Sequence, residues 1–446
     1  MNRGRIYSFL CMTLIFKAST IYAAEDLTPW GAIKGANADG SIPVYSDAPT
    51  QPPAGFSGEA GHYPDPFANE KPLYSVSNGN QGQYADVLTD GVKELLKRFP
   101  SYRVDVYPTH RTHRYSTWEL QQIAKNATSA KLVGEGDGVE GSYGPVPFPK
   151  PSNGYEVLWN HYNRSEPAAF QFRAWGYLVD ASGRPTLIED LSLKTLKLVH
   201  DQRKTSLEGP YKQKTRMTYQ GPASQSGTQL LWFYSQNYSK DNQIFYSYTP
   251  GQRRVRIAPE FAYDTPVASK GGAIVYDEVS LFEGRPDRFD FKIVGRKEII
   301  VPYNNNRMNE PSATKESVLG KNFISPDWMR WEKHRVWVLE ANLKPGKRHI
   351  YSKRRFYVDE DSWAILASES YDQAGKLYRV GMMNPVLMYD TGTQWCNSFI
   401  IYDLIKNNYS ISVWLGGNER NFLKAQKELF AEKEFTPEAV QASGVR

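Results

Sequence analysis

The chain has 446 residues, with 54 Lys and Arg against 48 Asp and Glu, and 13% of it is aromatic. Setting aside Arg3, Arg5 and Lys17 of the N-terminal segment lowers the formal charge from +6 to +3 (54 − 3 = 51 against 48), too balanced for a nucleic-acid partner. Only Cys11 and Cys396 are present, and a mature chain without Cys11 can form no internal disulfide, which excludes a disulfide scaffold.

Residues 1–24 read as a secretory signal. Asn2-Arg3-Gly4-Arg5 is basic, Ile6–Phe16 is apolar, and Ile21-Tyr22-Ala23-Ala24 offers a cleavage site. Lys17 ends the apolar run well short of the ~20 residues a membrane span needs. Ser8-Phe9-Leu10 before Cys11 is too bulky for lipidation. An exported, periplasmic protein is therefore expected.

Residues 25–82 are rich in Gly, Pro, Asn and Ser and predict an extended arm with little regular structure. A single body is expected over 83–446, since no linker divides it. Val87, Leu88, Val92, Leu95, Leu96 and Phe99 predict a helix over about Tyr84–Phe99. Ser116-Thr117-Trp118-Glu119 is a capping box that opens a second helix. Gly134–Pro151 predicts a loop.

Strands then dominate. Ala168–Val179 with Pro185–Val199, Lys214–Gln220 with Thr228–Gln236, and Gln243–Tyr248 with Arg253–Ala258 read as hairpins, and Phe289–Val301 continues the pattern. Trp331–Asp390 is divided by turn signals at Lys344–Lys347, Asp359–Asp361 and Asp372–Gly375 into runs rich in Val, Ile, Tyr, Phe and Trp, a series of consecutive antiparallel hairpins. Tyr409–Leu415 is a further strand. Asn418 to Glu434 predicts a last helix, and Thr436-Pro437-Glu438 a short terminal turn.

The segment from Trp331 to Trp363 resembles the C-terminal part of a large Gram-negative periplasmic family with a domain of unknown function, grouped with the outer-membrane lipoprotein-sorting proteins of LolA/LolB-like fold. Gly144–Pro149, Pro250–Pro259 and Pro286–Asn306 are similar to it too. The resemblance implies an α+β fold: an incomplete β-barrel, a strongly curved antiparallel sheet with helices against its open side, around a hydrophobic cavity. It also implies a carrier or chaperone of lipid or another hydrophobic molecule, working between an inner-membrane exporter and an outer-membrane acceptor, in the periplasm or peripheral to the outer membrane. No catalytic residue and no cofactor carry over from it. A non-enzymatic assembly subunit of the envelope is the alternative, and a hydrolase of lipid-like esters the second.

Alternation sorts side chains to the two faces of each strand. Trp232, Phe245, Trp337 and Phe356 lie mid-strand in aromatic runs and are the expected cavity wall, with Arg335 and Arg354 as candidates for an acidic headgroup. Little else suggests chemistry. His110 and His113 have H-x-x-H spacing without further ligands. Ser312-Ala313-Thr314-Lys315 matches S-x-x-K without its companion motifs. Glu135–Glu140 lacks a full calcium-loop spacing. No metal and no nucleophile–base pair are expected, Cys396 reads as a buried structural thiol, and Asp359, Glu360 and Asp361 read as a solvated hairpin tip.

Overall fold

The computed structural model describes residues 26–54, 56–258 and 263–444, so the expected signal segment lies outside the described residues. Sixteen strands join one sheet. In chain order they are β1 (Tyr74–Ser77), β2 (Arg103–Val106), β3 (Ala169–Val179), β4 (Pro185–Lys197), β5 (Tyr211–Gly221), β6 (Gln229–Ser235), β7 (Ile244–Thr249) and β8 (Arg254–Ile257). They continue as β9 (Phe289–Pro302), β10 (Trp331–Leu343), β11 (Lys353–Asp359), β12 (Ile365–Tyr371), β13 (Leu377–Met383), β14 (Phe399–Asp403), β15 (Asn408–Trp414) and β16 (Phe422–Ala425).

Across the sheet the order is β1-β2-β10-β11-β12-β13-β14-β15-β3-β4-β5-β6-β7-β8, with β9 also on β10 and β16 also on β3. The two ends are not joined, so the fold is α+β with a large, curved, unclosed sheet and few helices. Nearly every pairing is antiparallel; β2 meets β10 in parallel, at Val106 and Trp331. Registers shift between Gly176 and Tyr177, Ile293 and Gly295, Tyr357 and Val358, and Ser370 and Tyr371. Each such irregularity bends a strand and sharpens its twist, which curves the sheet.

Three helices lie early in the chain. Helix α1 (Asp90–Arg98) is shorter than the expected span, because the Thr89 side chain accepts the Val92 N–H and caps it; Gln81–Val87 before it is a 3-10 turn. Helix α2 (Thr117–Ser129) begins with the anticipated capping box of Ser116 and Glu119. Helix α3 (Gly154–Tyr162) was not expected. It is buried from Val157 to Tyr162, so it carries no polar stripe to reveal a helical period.

The expected helix from Asn418 to Glu434 is not formed. Phe422–Ala425 pairs instead with Phe170–Arg173, and Glu432–Phe435 is a 3-10 turn. The free edge of β3 satisfies the backbone there, and Leu423 is buried as a strand residue. Helix α4 (Pro437–Gly444) starts on its proline, with Thr436 Oγ1 accepting the Ala439 N–H at 3.1 Å.

The arm packs on the body through Trp30, Ala32, Ile42, Tyr45 and Tyr63, all buried. Its last residues form β1, so it is part of the sheet rather than a free extension.

Candidate functional site

One face of β3 to β6 borders a cavity of about 90 Å³. Register explains the wall. Phe172 stands opposite Leu193, Leu193 opposite Met217, and Met217 opposite Leu230; Thr195, Thr215 and Trp232 form the next row, and Gln213 and Tyr234 the third. Residues two apart on one strand share a face, so Leu230, Trp232 and Tyr234 all point inward. Leu231 and Phe233 point outward and pack with Tyr248, Phe435 and Val440, a cluster that includes α4. Val267, Ser269, Lys270, Tyr276, Val279 and Ser280 close the cavity from a segment of short 3-10 turns, Ala268–Lys270 and Tyr276–Leu281.

The wall mixes apolar side chains with Thr195, Thr215 and Gln213, and charged groups stand beside it. Lys270 Nζ lies 2.8 Å from Glu189 Oε1, with both side chains buried. Glu166 accepts from Lys197 at 2.5 Å and pairs with Arg164 at 3.1 Å. Burial alone would raise the Glu166 carboxyl, but Arg164 and Lys197 hold it down at about 2. Lys212, beside this group, donates to the Tyr162 carbonyl at 2.7 Å and sits over the Tyr162 ring; burial drives its ammonium down from the usual lysine range. The indole Nε1 of Trp232 is buried without a hydrogen-bond partner among the described residues. An apolar guest with a hydrogen-bond acceptor would satisfy it.

Of the residues expected to form the wall, Trp232 lines this cavity. Phe245 is its cross-strand partner, with ring centroids 4.9 Å apart, and sits behind Tyr276. Phe356, on β11, lies in the core and packs on Phe282, and Trp337, half-buried on β10, packs against that core and stacks on the buried Trp363. Arg354 is wholly buried, bound to Asp277 at 3.0 Å and to the Leu281 carbonyl at 3.1 Å. Arg335 donates to the carbonyls of Ile33 and Gly35 in the arm. The structure thus brings Trp232 and Phe245 together and places the other four elsewhere.

The solvated tip expected at Asp359–Asp361 is overturned: all three carboxylates are buried. The arm covers them, and Arg111 grips Asp361 through two bonds of 2.7 Å. His110 and His113 point apart. His110 Nε2 is 2.8 Å from Glu70, whereas His113 Nδ1 accepts the Gln394 N–H. Ser312 is exposed and donates to Glu310. In the Gly-rich turn, Glu140 is paired with Lys240 and Asp137 with Arg285. Cys396 is a free, buried thiol that burial pushes far up from its ordinary range.

Sequence reasoning missed the charged groups beside the wall. Glu189 and Lys270 sit in segments of ordinary composition, and the one available signal was the alternation of Glu189 with Ile188 and Asp190, which does not say which face is buried.

The chain is 35% identical over 425 residues to Uncharacterized protein PA3922 of Pseudomonas aeruginosa, covering 94% of this chain and 92% of that one. Among solved structures it is similar to a DUF1329 family protein from Desulfovibrio piger (12% identity, 64% of this chain and 97% of that chain, TM-score 0.43). It is also similar to the LolA superfamily protein NE2245 from Nitrosomonas europaea (12%, 64% and 98%, TM-score 0.37). Residues 75–441 match the family described as Protein of unknown function (DUF1329), and with a relative this similar along nearly its whole length, the chain belongs to that family.

Proposed function

We propose that this protein is a non-enzymatic periplasmic carrier or chaperone that holds a hydrophobic molecule with one polar end in the cavity of β3 to β6. The observation that carries the reading is the wall itself. Four adjacent strands turn Phe172, Leu193, Met217, Leu230 and Trp232 toward one void, with Thr195, Thr215 and Gln213 among them and the charged groups Lys270, Glu189 and Glu166 beside them. An apolar chain there gains roughly 0.8 kcal/mol per buried methylene. The polar groups supply hydrogen-bond donors for a polar end.

At about 90 Å³ the cavity is smaller than the roughly 300 Å³ at which drug-sized sites begin, so cargo entry requires it to widen. The turn from Val267 to Lys270 is the part to move. It is held to the sheet by the Lys270–Glu189 pair and by Gln225, which donates to the Ser269 carbonyl, whereas Asp277, Glu278 and Leu281 beyond it are fixed to β11 and β13 by Arg354 and Arg379. Export by a cleaved signal, an inner-membrane exporter and an outer-membrane acceptor complete the reading. No helix among the described residues is long and apolar enough to cross a membrane.

The test is to purify the protein from a Gram-negative host, extract it with organic solvent and identify bound molecules by mass spectrometry, then titrate it with a fluorescent fatty acid. A bound amphiphile that the probe displaces is expected. A chain that carries no such molecule and binds no probe defeats the reading. A second reading, an assembly subunit of the envelope, is favoured by the outermost strand β8, where Ile257 is 63% exposed beside Arg254 and Arg256. A stable stoichiometric protein complex would support it.

A further inference from the structure

Four carboxylates, those of Glu332, Asp359, Glu360 and Asp361, are buried together where β10 and β11 meet the arm, and none of them lines the cavity. Three have guanidinium partners. Arg330 Nε binds Glu332 at 2.6 Å, Arg111 binds Asp361 through two bonds, and Glu360 lies 3.6 Å from both Arg111 and Arg335. Asp359 differs. Its charge partner among the described residues is the His334 ring, with Nδ1 at 3.9 Å from Oδ1, beyond hydrogen-bond length. Asp359 Oδ1 is buried with no hydrogen-bond partner among the described residues. An unmatched carboxylate oxygen in a water-free interior is costly unless a cation or proton meets it.

We propose that His334, Asp359 and Asp361 form a buried site for one divalent transition-metal cation of the zinc class. The three side chains each offer a ligand atom, all within 4.8 Å of one another. Two donors about 2.0–2.2 Å from one ion stand at most about 4.4 Å apart. That limit holds for donors on opposite sides of the ion; tetrahedral donors stand about 3.3–3.6 Å apart, so the His334–Asp359 pair, at 3.9 Å, is near its bound separation and the widest pair closes by up to about 1.5 Å as the ion binds.

The surroundings fit this role. Metal-bound histidines usually give their second nitrogen to a carboxylate, and metal-bound carboxylates are themselves hydrogen-bonded. His334 Nε2 is 3.1 Å from Glu332 Oε2. Asp359 Oδ2 accepts from Tyr303 at 3.1 Å and from Ser362, which leaves Oδ1 for the ion. Asp361 is oriented by Arg111, which also donates to the Lys34 and Pro43 carbonyls of the arm. A mixed nitrogen and carboxylate donor set suits zinc and its neighbours better than calcium or magnesium.

A site this enclosed fills as the chain folds. The test is therefore to unfold the full chain in denaturant and refold it with ZnCl2 or with CoCl2, desalt it, and measure the metal. One zinc per chain is expected, together with a visible cobalt absorption band and a melting temperature lowered when EDTA is present during refolding. Asp359→Asn and His334→Gln should each lose the bound ion, while His62→Gln, remote in sequence and paired with Glu419, should keep it. Because Asp359 also holds the Ser362 turn, the wild-type cobalt spectrum decides the question should that variant not fold. Wild-type protein that retains neither metal after refolding overturns the proposal, as does undiminished uptake by folded Asp359→Asn and His334→Gln.

Discussion

Lys270 and Glu189 face each other at 2.8 Å, both buried, where the turn Ala268–Lys270 crosses β4 at the edge of the cavity. Lys270 also donates to Ser412 Oγ at 3.0 Å, which ties the turn to β15. Replacing Lys270 by Met removes the cation and leaves the Glu189 carboxylate buried without a counter-charge. Breaking one side of such a pair costs about 3–5 kcal/mol, whereas replacing both sides can be nearly neutral. Lys270→Met should therefore destabilise strongly in urea unfolding, and Lys270→Met with Glu189→Gln should recover most of the loss. A double variant no more stable than the single one would show that the pair does not act as a unit.

The cavity can be filled without touching its charges. Thr215 lies between Thr195 and Trp232 on the wall and contributes little bulk. Thr215→Trp should occupy the void at a stability cost of about 1–3 kcal/mol from overpacking. Probe affinity should fall at least tenfold while the far-ultraviolet circular dichroism spectrum stays native. Unchanged affinity in a folded Thr215→Trp protein would place the bound molecule elsewhere.

Trp337 separates wall from core. Its ring stacks on Trp363 at 6.1 Å and lies under Arg296, whose guanidinium is 4.2 Å from the ring centre. Trp337→Ala should cost on the order of 2 kcal/mol of stability, since the half-buried ring loses its packing on Trp363. The folded fraction should bind the probe as the wild type does. A stable Trp337→Ala protein with weakened binding would instead make Trp337 a contact of the cargo.

The open antiparallel sheet was legible because aromatic and β-branched runs separated by turn residues have few alternatives. On β6 Trp232 turns inward, yet Leu231 and Phe233 on the other face are equally apolar, so alternation alone did not say which face meets the cavity. Around β10 and β11 the same reasoning met strands covered on both faces, where alternation carries no information about which side is the cavity. Arg354 illustrates the limit: a cation mid-strand reads as solvent-facing, yet Asp277, from a segment 77 residues away, neutralises it in the core. The buried tip at Asp359–Asp361 was hidden for the same reason, since the arm that covers it arrives from the opposite end of the chain.

Among the described residues Ser312 and His110 form no nucleophile–base pair with each other: their side chains meet Glu310 and Glu70. Ser312 is exposed and its hydroxyl donates to Glu310, and His110 stacks on Phe67 at 3.9 Å. Ser312→Ala and His110→Ala should support wild-type growth under any condition where deletion of the gene is harmful. A folded variant that fails to complement would reopen the hydrolase reading.

Acid should weaken the fold through buried neutral histidine before it acts on Glu166. His200 is buried beside the Glu166–Lys197 group, with Nδ1 3.0 Å from the Glu166 carbonyl oxygen. Burial, reinforced by the charge of Lys197, lowers its pKa to about 3, and burial lowers that of His113 to about 4. In the unfolded chain both return to about 6.5. Between these values the unfolded state binds more protons, so the stabilisation is complete above pH 6.5 and is lost as pH falls toward the folded values. The slope is about 1.4 kcal/mol per pH unit for each histidine. Glu166, held at about 2, adds a loss in the same direction only below the ordinary carboxyl range. Glu360, raised to about 8 chiefly by burial, works oppositely, gaining stability as pH falls from 8 toward 4.5. The comparison that isolates His200 is therefore variant against wild type. His200→Gln cannot take up a proton and can still donate to the Glu166 carbonyl. Its urea midpoint should fall less steeply than the wild type's between pH 6.5 and 4.5, by an amount on the order of 2 kcal/mol across that window. Parallel profiles for the two proteins would show that His200 is not held neutral in the fold.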